Sequence, residues 1–223
     1  MNNFKFQNPT KIVFGKGSIA NISKLIPKHA KVLILYGGGS IKKNGVYDQV
    51  KSALKKHTTI EFGGIEANPD YDTLKRAVKL VKTEKVDFLL AVGGGSVIDG
   101  AKFISVATHY KGKHSWDLLA KHEANKIKKA VPIGVVLTLP ATGSEMNMNA
   151  VISRRKSEEK LSFSNPNVFP RFSILDPEVT YSLPEKYIRN GIVDAYVHVM
   201  EQYMTYPVRS EEHTSELQSR ITI

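Results

Sequence analysis

Two triple-glycine clusters, each directly after a short apolar run, constrain this chain more than any other feature. They are Tyr36-Gly37-Gly38-Gly39-Ser40 and Gly93-Gly94-Gly95-Ser96-Val97-Ile98-Asp99. Glycine lets the backbone turn sharply and lets a phosphate approach without a Cβ in the way. A plain strand-to-helix turn would need one glycine rather than three. The runs before the clusters, Val32–Tyr36 and Phe88–Val92, belong to a set with Thr59–Phe62, Val135–Leu139 and Phe172–Leu175. All are short and bounded by Gly, Pro or charge, which suits buried strands. Helical patterns lie between them. Val46, Val50, Ala53 and Leu54 share one helix face, and Tyr71, Leu74, Ala77, Val78 and Val81 share another. The alternation predicts an α/β fold with a mainly parallel sheet covered on both faces. Val151 to Ser164 is less regular and reads as a hairpin that interrupts it.

Neither cluster is a G-x-G-x-x-G fingerprint, so an ordinary Rossmann assignment does not follow. The second cluster still offers a phosphate site: Ser96 is expected to cap the next helix, whose amides and dipole favour a pyrophosphate. The first speaks to cofactor choice. A carboxylate after this strand commonly holds the ribose hydroxyl of NAD and would repel a 2′-phosphate. From Tyr36 through Tyr47 there is no acidic residue, while Ser40, Lys42 and Lys43 offer donors and positive charge. NADP is therefore expected over NAD, although for each lysine taken alone a solvated side chain is the plainer reading.

A formal net charge of +11 raises nucleic acid as a partner. The lysines are spread along the chain, and no arginine–aromatic interleaving or basic recognition helix accompanies them, so that class is set aside. The absence of cysteine removes disulfides and thiolate chemistry and fits a reducing cytoplasm. The start, MNNFKF, does not read as a secretion signal, and the longest uncharged run, Ala130 to Ser144, is too short to span a membrane.

Character changes near residue 182. Ser182-Leu183-Pro184-Glu185 has capping-box spacing, and Ile188, Ile192, Ala195, Val199 and Tyr203 continue as an apolar stripe. On that helix Asp194 and His198 stand four residues apart and share a face, with Glu201 one turn on. Carboxylate and imidazole together suit a divalent transition metal such as Fe(II) or Zn(II). A metal site needs at least a third protein ligand, and none of the other histidines pairs obviously with these two. Such a pair on its own is more often a simple hydrogen bond.

Read in order, FGKGSIA, YGGGS, EFGGIEANP, LLAVGGGSVIDGAKF, LTLPATGSE, ILDP and GIVDAYVHVMEQY resemble the iron-containing (group III) alcohol dehydrogenases. That family lies within the dehydroquinate-synthase-like superfamily. The resemblance runs from Met1 to about Val208 and is closest to the branch of NADPH-dependent aldehyde reductases and butanol dehydrogenases. It implies a dinucleotide-binding α/β domain over residues 1–181, then the first helix, 182–208, of an all-helical metal-binding domain. It places Gly38 and Ser40 at the adenosine 2′-phosphate. Gly94, Gly95, Ser96 and Asp99 would lie at the pyrophosphate and ribose, with Thr138, Thr142, Asn147 and Lys160 along the cofactor. Asp194 and His198 match the first two of four metal ligands, the other two being histidines further downstream. The implied reaction reduces an aldehyde to a primary alcohol, and the reverse, with the metal as Lewis acid and NADPH as hydride donor. A homodimeric parent enzyme is also expected. A glycerol dehydrogenase-like relative is the alternative within the superfamily, and YGGGS with the Asp194/His198 pair favours the alcohol dehydrogenase branch. Met146-Asn147-Met148-Asn149 departs from the family pattern, and Met148 and Asn149 are expected to narrow the nicotinamide end.

The resemblance stops after Pro207-Val208, where RSEEHTSELQS begins. This string resembles an in-frame translation of a common sequencing adapter, so residues 209–223 are expected to be a non-native tail. With two metal ligands and an uncovered apolar helix, the chain is expected to be nearly inactive, a non-catalytic NADP-binding fragment of a full reductase.

Overall fold

The computed structural model describes Asn3, Lys5 and residues 7–205. The expected non-native tail, 209–223, and the last residues of the 182–208 segment lie outside these. The chain divides into two compact units, with the boundary between Ser182 and Leu183.

The first unit is built on a six-stranded parallel sheet. Its strands are β1 (Lys11–Phe14), β2 (Lys31–Tyr36), β3 (Thr58–Phe62), β4 (Phe88–Gly94), β5 (Ile133–Leu139) and β8 (Phe172–Leu175), in the order β1-β8-β5-β4-β2-β3. Every neighbouring pair is parallel, so all six carboxyl ends lie on one edge. The expected hairpin is present as β6 (Asn149–Arg154) and β7 (Glu159–Ser164), an antiparallel pair outside the main sheet. The longer helices of this unit are α3 (Val46–Ala53), α4 (Tyr71–Glu84) and α5 (Gly95–His109); α1 (Ile22–Leu25), α2 (Ser40–Lys43) and α6 (Asp117–Ala120) are single turns.

Burial explains why the strands read as unbroken apolar runs. On one face, Leu33, Leu35, Leu89, Ala91, Ile133, Val135 and Leu137 pack with Leu74 of α4 and Ile98 and Ile104 of α5. On the other, Val32, Ile34, Leu90, Val92 and Val136 pack with Ile19, Ile22, Val46 and Val50. Strands buried on both faces lose the in–out alternation that marks a half-exposed strand. β1 escaped sequence detection for the converse reason: it is an edge strand with Lys11, Ile12 and Phe14 exposed.

Two capping expectations fail. α5 begins at Gly95, one residue before Ser96, and carries no side-chain cap; Ser96 Oγ accepts the Asn68 N–H instead, at 3.2 Å. The second-unit helix, α7 (Glu185–Met204), starts after Pro184, again without a side-chain cap. Ser182 closes the preceding 3-10 turn, its hydroxyl donating to the Val179 carbonyl at 3.2 Å and accepting from Asn44 Nδ2 at 3.0 Å. By contrast α4 is capped at Asp70, which accepts the Asp72 N–H at 3.0 Å, and it ends at Lys85 in the left-handed region, φ 51°.

In the second unit α7 exposes Tyr187, Ile188, Ile192, Val193, Tyr196, Val197, Val199, Tyr203 and Met204. Apolar side chains so placed mark a helix made to be covered rather than solvated. No described helix is long and apolar enough to cross a membrane.

Candidate cofactor site and metal-ligand pair

From β2 the chain moves outward to β3, and from β4 it moves the opposite way to β5. The switch point therefore lies between β2 and β4, where open α/β sheets bind ligands at the carboxyl ends of their strands. Both glycine clusters sit there. After β2, Gly38 and Ser40 are exposed and Gly39 takes φ 91°, a left-handed conformation that glycine adopts without strain. At the end of β4, Gly94 is extended and Gly95 opens α5, a 15-residue helix whose N-terminal amides favour an anion. Space is tight at Gly95: a Cβ there would lie 2.5 Å from Thr142 Oγ1 and 2.9 Å from its Cγ2. Only glycine lets the 140–143 loop lie so close to the start of α5.

Thr142 is exposed, and Thr138 is half-buried at the carboxyl end of β5. Lys160, on β7, reaches the same region through Asn68: its Nζ donates to Asn68 Oδ1 at 3.0 Å, while the Asn68 N–H bonds Ser96. Asn68 itself holds φ 54° and was not singled out from sequence. Its signal was the Asn68-Pro69 break that ends the quoted EFGGIEANP motif, with Asp70 directly after it, a turn signature.

Asp99 and Asn147 turn inward. One Asp99 oxygen accepts from Ser144 Oγ at 2.5 Å and the other from the Val151 N–H at 2.9 Å. Burial pushes the Asp99 carboxyl above the usual range, against the lowering effect of these two bonds and of Lys102. Lys102 is fully buried, and its Nζ donates to Ser144 Oγ at 2.8 Å, Asn147 Oδ1 at 2.8 Å and the Asn149 carbonyl at 2.7 Å. Desolvation pulls its pKa down to about 8, opposed by the Asp99 and Glu145 carboxylates. The expected narrowing by Met148 and Asn149 is not seen. Met148 packs against the core, and Asn149 turns its carbonyl to Lys102 and its Oδ1 to Ser164 Oγ.

Near the first glycine cluster the fold supplies an acid that the local sequence lacks. Glu61 on β3 lies 3.5 Å from Lys42 Nζ and 3.6 Å from Lys51 Nζ, and Tyr47 donates its hydroxyl to it. Burial would raise the Glu61 carboxyl, but the Tyr47 bond and the two ammonium groups hold it below the usual range. Lys42 also lies over the rings of Tyr36 and Tyr47, at 5.0 and 4.8 Å.

On α7, His198 Nε2 stands 3.8 Å from Asp194 Oδ1, and both side chains are about half exposed. Among the described residues no group of three or more His, Cys, Asp or Glu assembles around a common point. The pair provides two donors of suitable type, short of the three protein ligands that a stable transition-metal site requires.

The family model for iron-containing alcohol dehydrogenases matches residues 9–177. The chain is 56% identical over 209 residues to the NADPH-dependent aldehyde reductase YqhD of Escherichia coli (strain K12), covering 93% of this chain and 54% of that one. It is 46% identical over 206 residues to the probable NADH-dependent butanol dehydrogenase 1 of Bacillus subtilis (strain 168), covering 91% and 52% respectively. Among solved structures, Escherichia coli K-12 YqhD superimposes with a TM-score of 0.87 at 55% identity, over 94% of this chain and 54% of that one. The NADH-dependent butanol dehydrogenase A of Thermotoga maritima gives a TM-score of 0.83 at 48% identity, over 92% and 52%. The chain thus spans about half the length of the curated relatives it matches. The matched region contains both glycine clusters and the sheet that positions them, and on that ground the chain belongs to the iron-containing alcohol dehydrogenase family.

Proposed function

We propose that the first unit binds NADP(H) at the β2/β4 switch point, within a protein that reduces aldehydes to primary alcohols and catalyses the reverse reaction. The observation that carries this is the pair of glycine loops on adjacent parallel strands at the one point where the strand order reverses. Gly38 and Ser40 would receive the adenosine 2′-phosphate, with Lys42 contributing charge. Gly94, Gly95 and Ser96 at the start of α5 would receive the pyrophosphate, where amides and helix dipole favour negative charge. Thr138, Thr142 and Lys160 would line the rest of the cofactor. Asp99 and Asn147, whose oxygens already take internal donors, would act by holding the 144–151 segment in place. When bound, the nicotinamide supplies the hydride; this chain's residues supply orientation and charge complementarity.

Residues 182–208 would be the start of a helical metal-binding region, with Asp194 and His198 as two of its ligands. Two half-exposed donors are an incomplete set, so no step of the chemistry is assigned to a metal on this chain. That same observation favours a second reading of the polypeptide itself, an NADP-binding fragment without turnover. Aldehyde-dependent NADPH oxidation, followed with and without added Fe(II) or Zn(II), separates the two. Cofactor binding without turnover supports the fragment. Metal-dependent turnover by the 223-residue chain would refute it. Absence of both binding and turnover would refute the NADP assignment.

A further inference from the structure

We infer that Lys102 is a positioning residue for the cofactor: from inside the protein it fixes the Thr142–Asn149 segment against the phosphate-binding start of α5. The inference rests on the NADP-binding reading above and goes beyond it, because Lys102 is sealed from solvent and would act on the cofactor only through the residues it holds.

Three observations carry it. First, Lys102 lies two turns into the helix that Gly95 opens, and all three Nζ bonds go to a single distant segment: Ser144, Asn147 and Asn149. An ammonium has three N–H donors, so its capacity is filled. Second, Asp99, one turn earlier on α5, grips the same segment through Ser144 and Val151. Ser144 is shared, accepting from Lys102 and donating to Asp99, so two opposite charges and one hydroxyl form a continuous network between helix and segment. Third, the gripped segment begins beside Thr142, which already lies against Gly95, and it includes Asn147.

Burying a lysine is costly, and an apolar side chain would fill the same volume more cheaply. What the ammonium adds is direction: three acceptors in fixed places set one register of the segment on the helix. A shift there would move Thr142 relative to the start of α5 while leaving the Gly38–Ser40 loop, on another strand, where it is. The grip is also sensitive to pH. Asp99 on α5 and Glu145 on the turn Ser144–Met146 are the charged groups acting on Lys102, and β6 presents only the Asn149 carbonyl. As Lys102 loses its proton, near pH 8, a neutral amine is left with two N–H donors for three acceptors.

The test compares two probes on the full chain. NADPH would span both loops, whereas adenosine 2′,5′-bisphosphate would need only the Gly38–Ser40 end. In Lys102→Met the NADPH Kd is expected to rise by at least about tenfold, equivalent to about 1.4 kcal/mol, with bisphosphate binding changed by less than about twofold. In the unaltered protein NADPH affinity should fall as pH rises through about 8, and that inflection should be absent from the variant and from the bisphosphate profile. Ser144→Ala, which keeps the ammonium but removes the shared hydroxyl, should shift NADPH affinity in the same direction by less. If Lys102→Met does not fold, the unaltered protein's pH profile and Ser144→Ala decide the matter. Unchanged NADPH binding in the variants, or parallel loss of both probes, overturns the positioning role. If the unaltered protein binds neither probe, the NADP reading falls and takes this inference with it.

Discussion

Replacing Gly95 by alanine should separate stability from cofactor binding. The new Cβ would meet Thr142 Oγ1 at 2.5 Å, Cγ2 at 2.9 Å and Cβ at 3.2 Å. Ordinary carbon contacts lie at about 3.5–4.0 Å, so Thr142 must retreat by about 1 Å. That retreat is cheap. Thr142 is exposed, and its hydroxyl accepts only a 3.3 Å bond from the Ser144 N–H. The overpacking cost should sit at the low end of the usual range of about 1–3 kcal/mol. Alanine in a helix recovers up to about 1 kcal/mol over glycine. The two nearly cancel, so the net loss of stability should be about 1 kcal/mol or less. Cofactor binding gains no such offset, because under the proposed placement a methyl group would stand where the pyrophosphate approaches and Thr142 would have moved. A rise of at least about tenfold in the NADPH Kd is expected, about 1.4 kcal/mol. Urea unfolding followed by Trp116, the single tryptophan and 5% exposed, gives the first quantity; NADPH titration gives the second. A variant that binds NADPH like the unaltered protein would refute the placement of the phosphate at Gly95.

Gly134 on β5 pairs with Phe172 on β8, and an added Cβ would run into the Phe172 ring, which is buried and stacked on Phe88. Gly134→Ala should therefore cost about 1–3 kcal/mol in urea unfolding, and less in a Phe172→Leu background. Glu61→Gln should strengthen NADPH binding relative to NADH by a few-fold, about 0.5–1 kcal/mol, because it frees the Lys42 ammonium; paired titrations with the two cofactors check this. Lys102 also makes a stability prediction of definite sign. Its folded pKa, about 8, lies below the ordinary lysine value of 10.5, so its contribution to stability is present at high pH and lost as pH falls through about 8. Relative to Lys102→Met, the unaltered protein should gain up to about 3 kcal/mol between pH 8 and 10.5 in urea unfolding. A flat difference would show that the ammonium is not desolvated.

How much of this was legible in the sequence follows from what kind of signal each part leaves. Strands β2, β4, β5 and β8 announced themselves because burial on both faces demands unbroken apolar runs; β3, the other edge strand, showed through its β-branched and aromatic residues Thr59, Ile60 and Phe62. β1 did not, because an exposed edge imposes no such demand. The glycine loops were legible because conformational freedom and close approach require glycine itself. Ser96 and Ser182 misled because the same residue types that cap helices also close loops and turns, and the true helix starts differed from the expected ones. Lys102 and Glu61 were missed for another reason. Their partners, Ser144, Asn147 and Asn149 for one and Lys42 for the other, are distant in sequence and meet only in the fold. A lysine set among the apolar residues Ala101, Phe103 and Ile104 of α5 was the available hint.

Titrating this chain with NADPH and with NADH, without added metal, tests whether the first unit holds NADP(H) at the β2/β4 switch point. Saturable one-to-one binding is expected, with NADPH the tighter ligand, since the glycine loops and Ser40 lie wholly within the described first unit. No saturable binding of either cofactor by folded protein would contradict it.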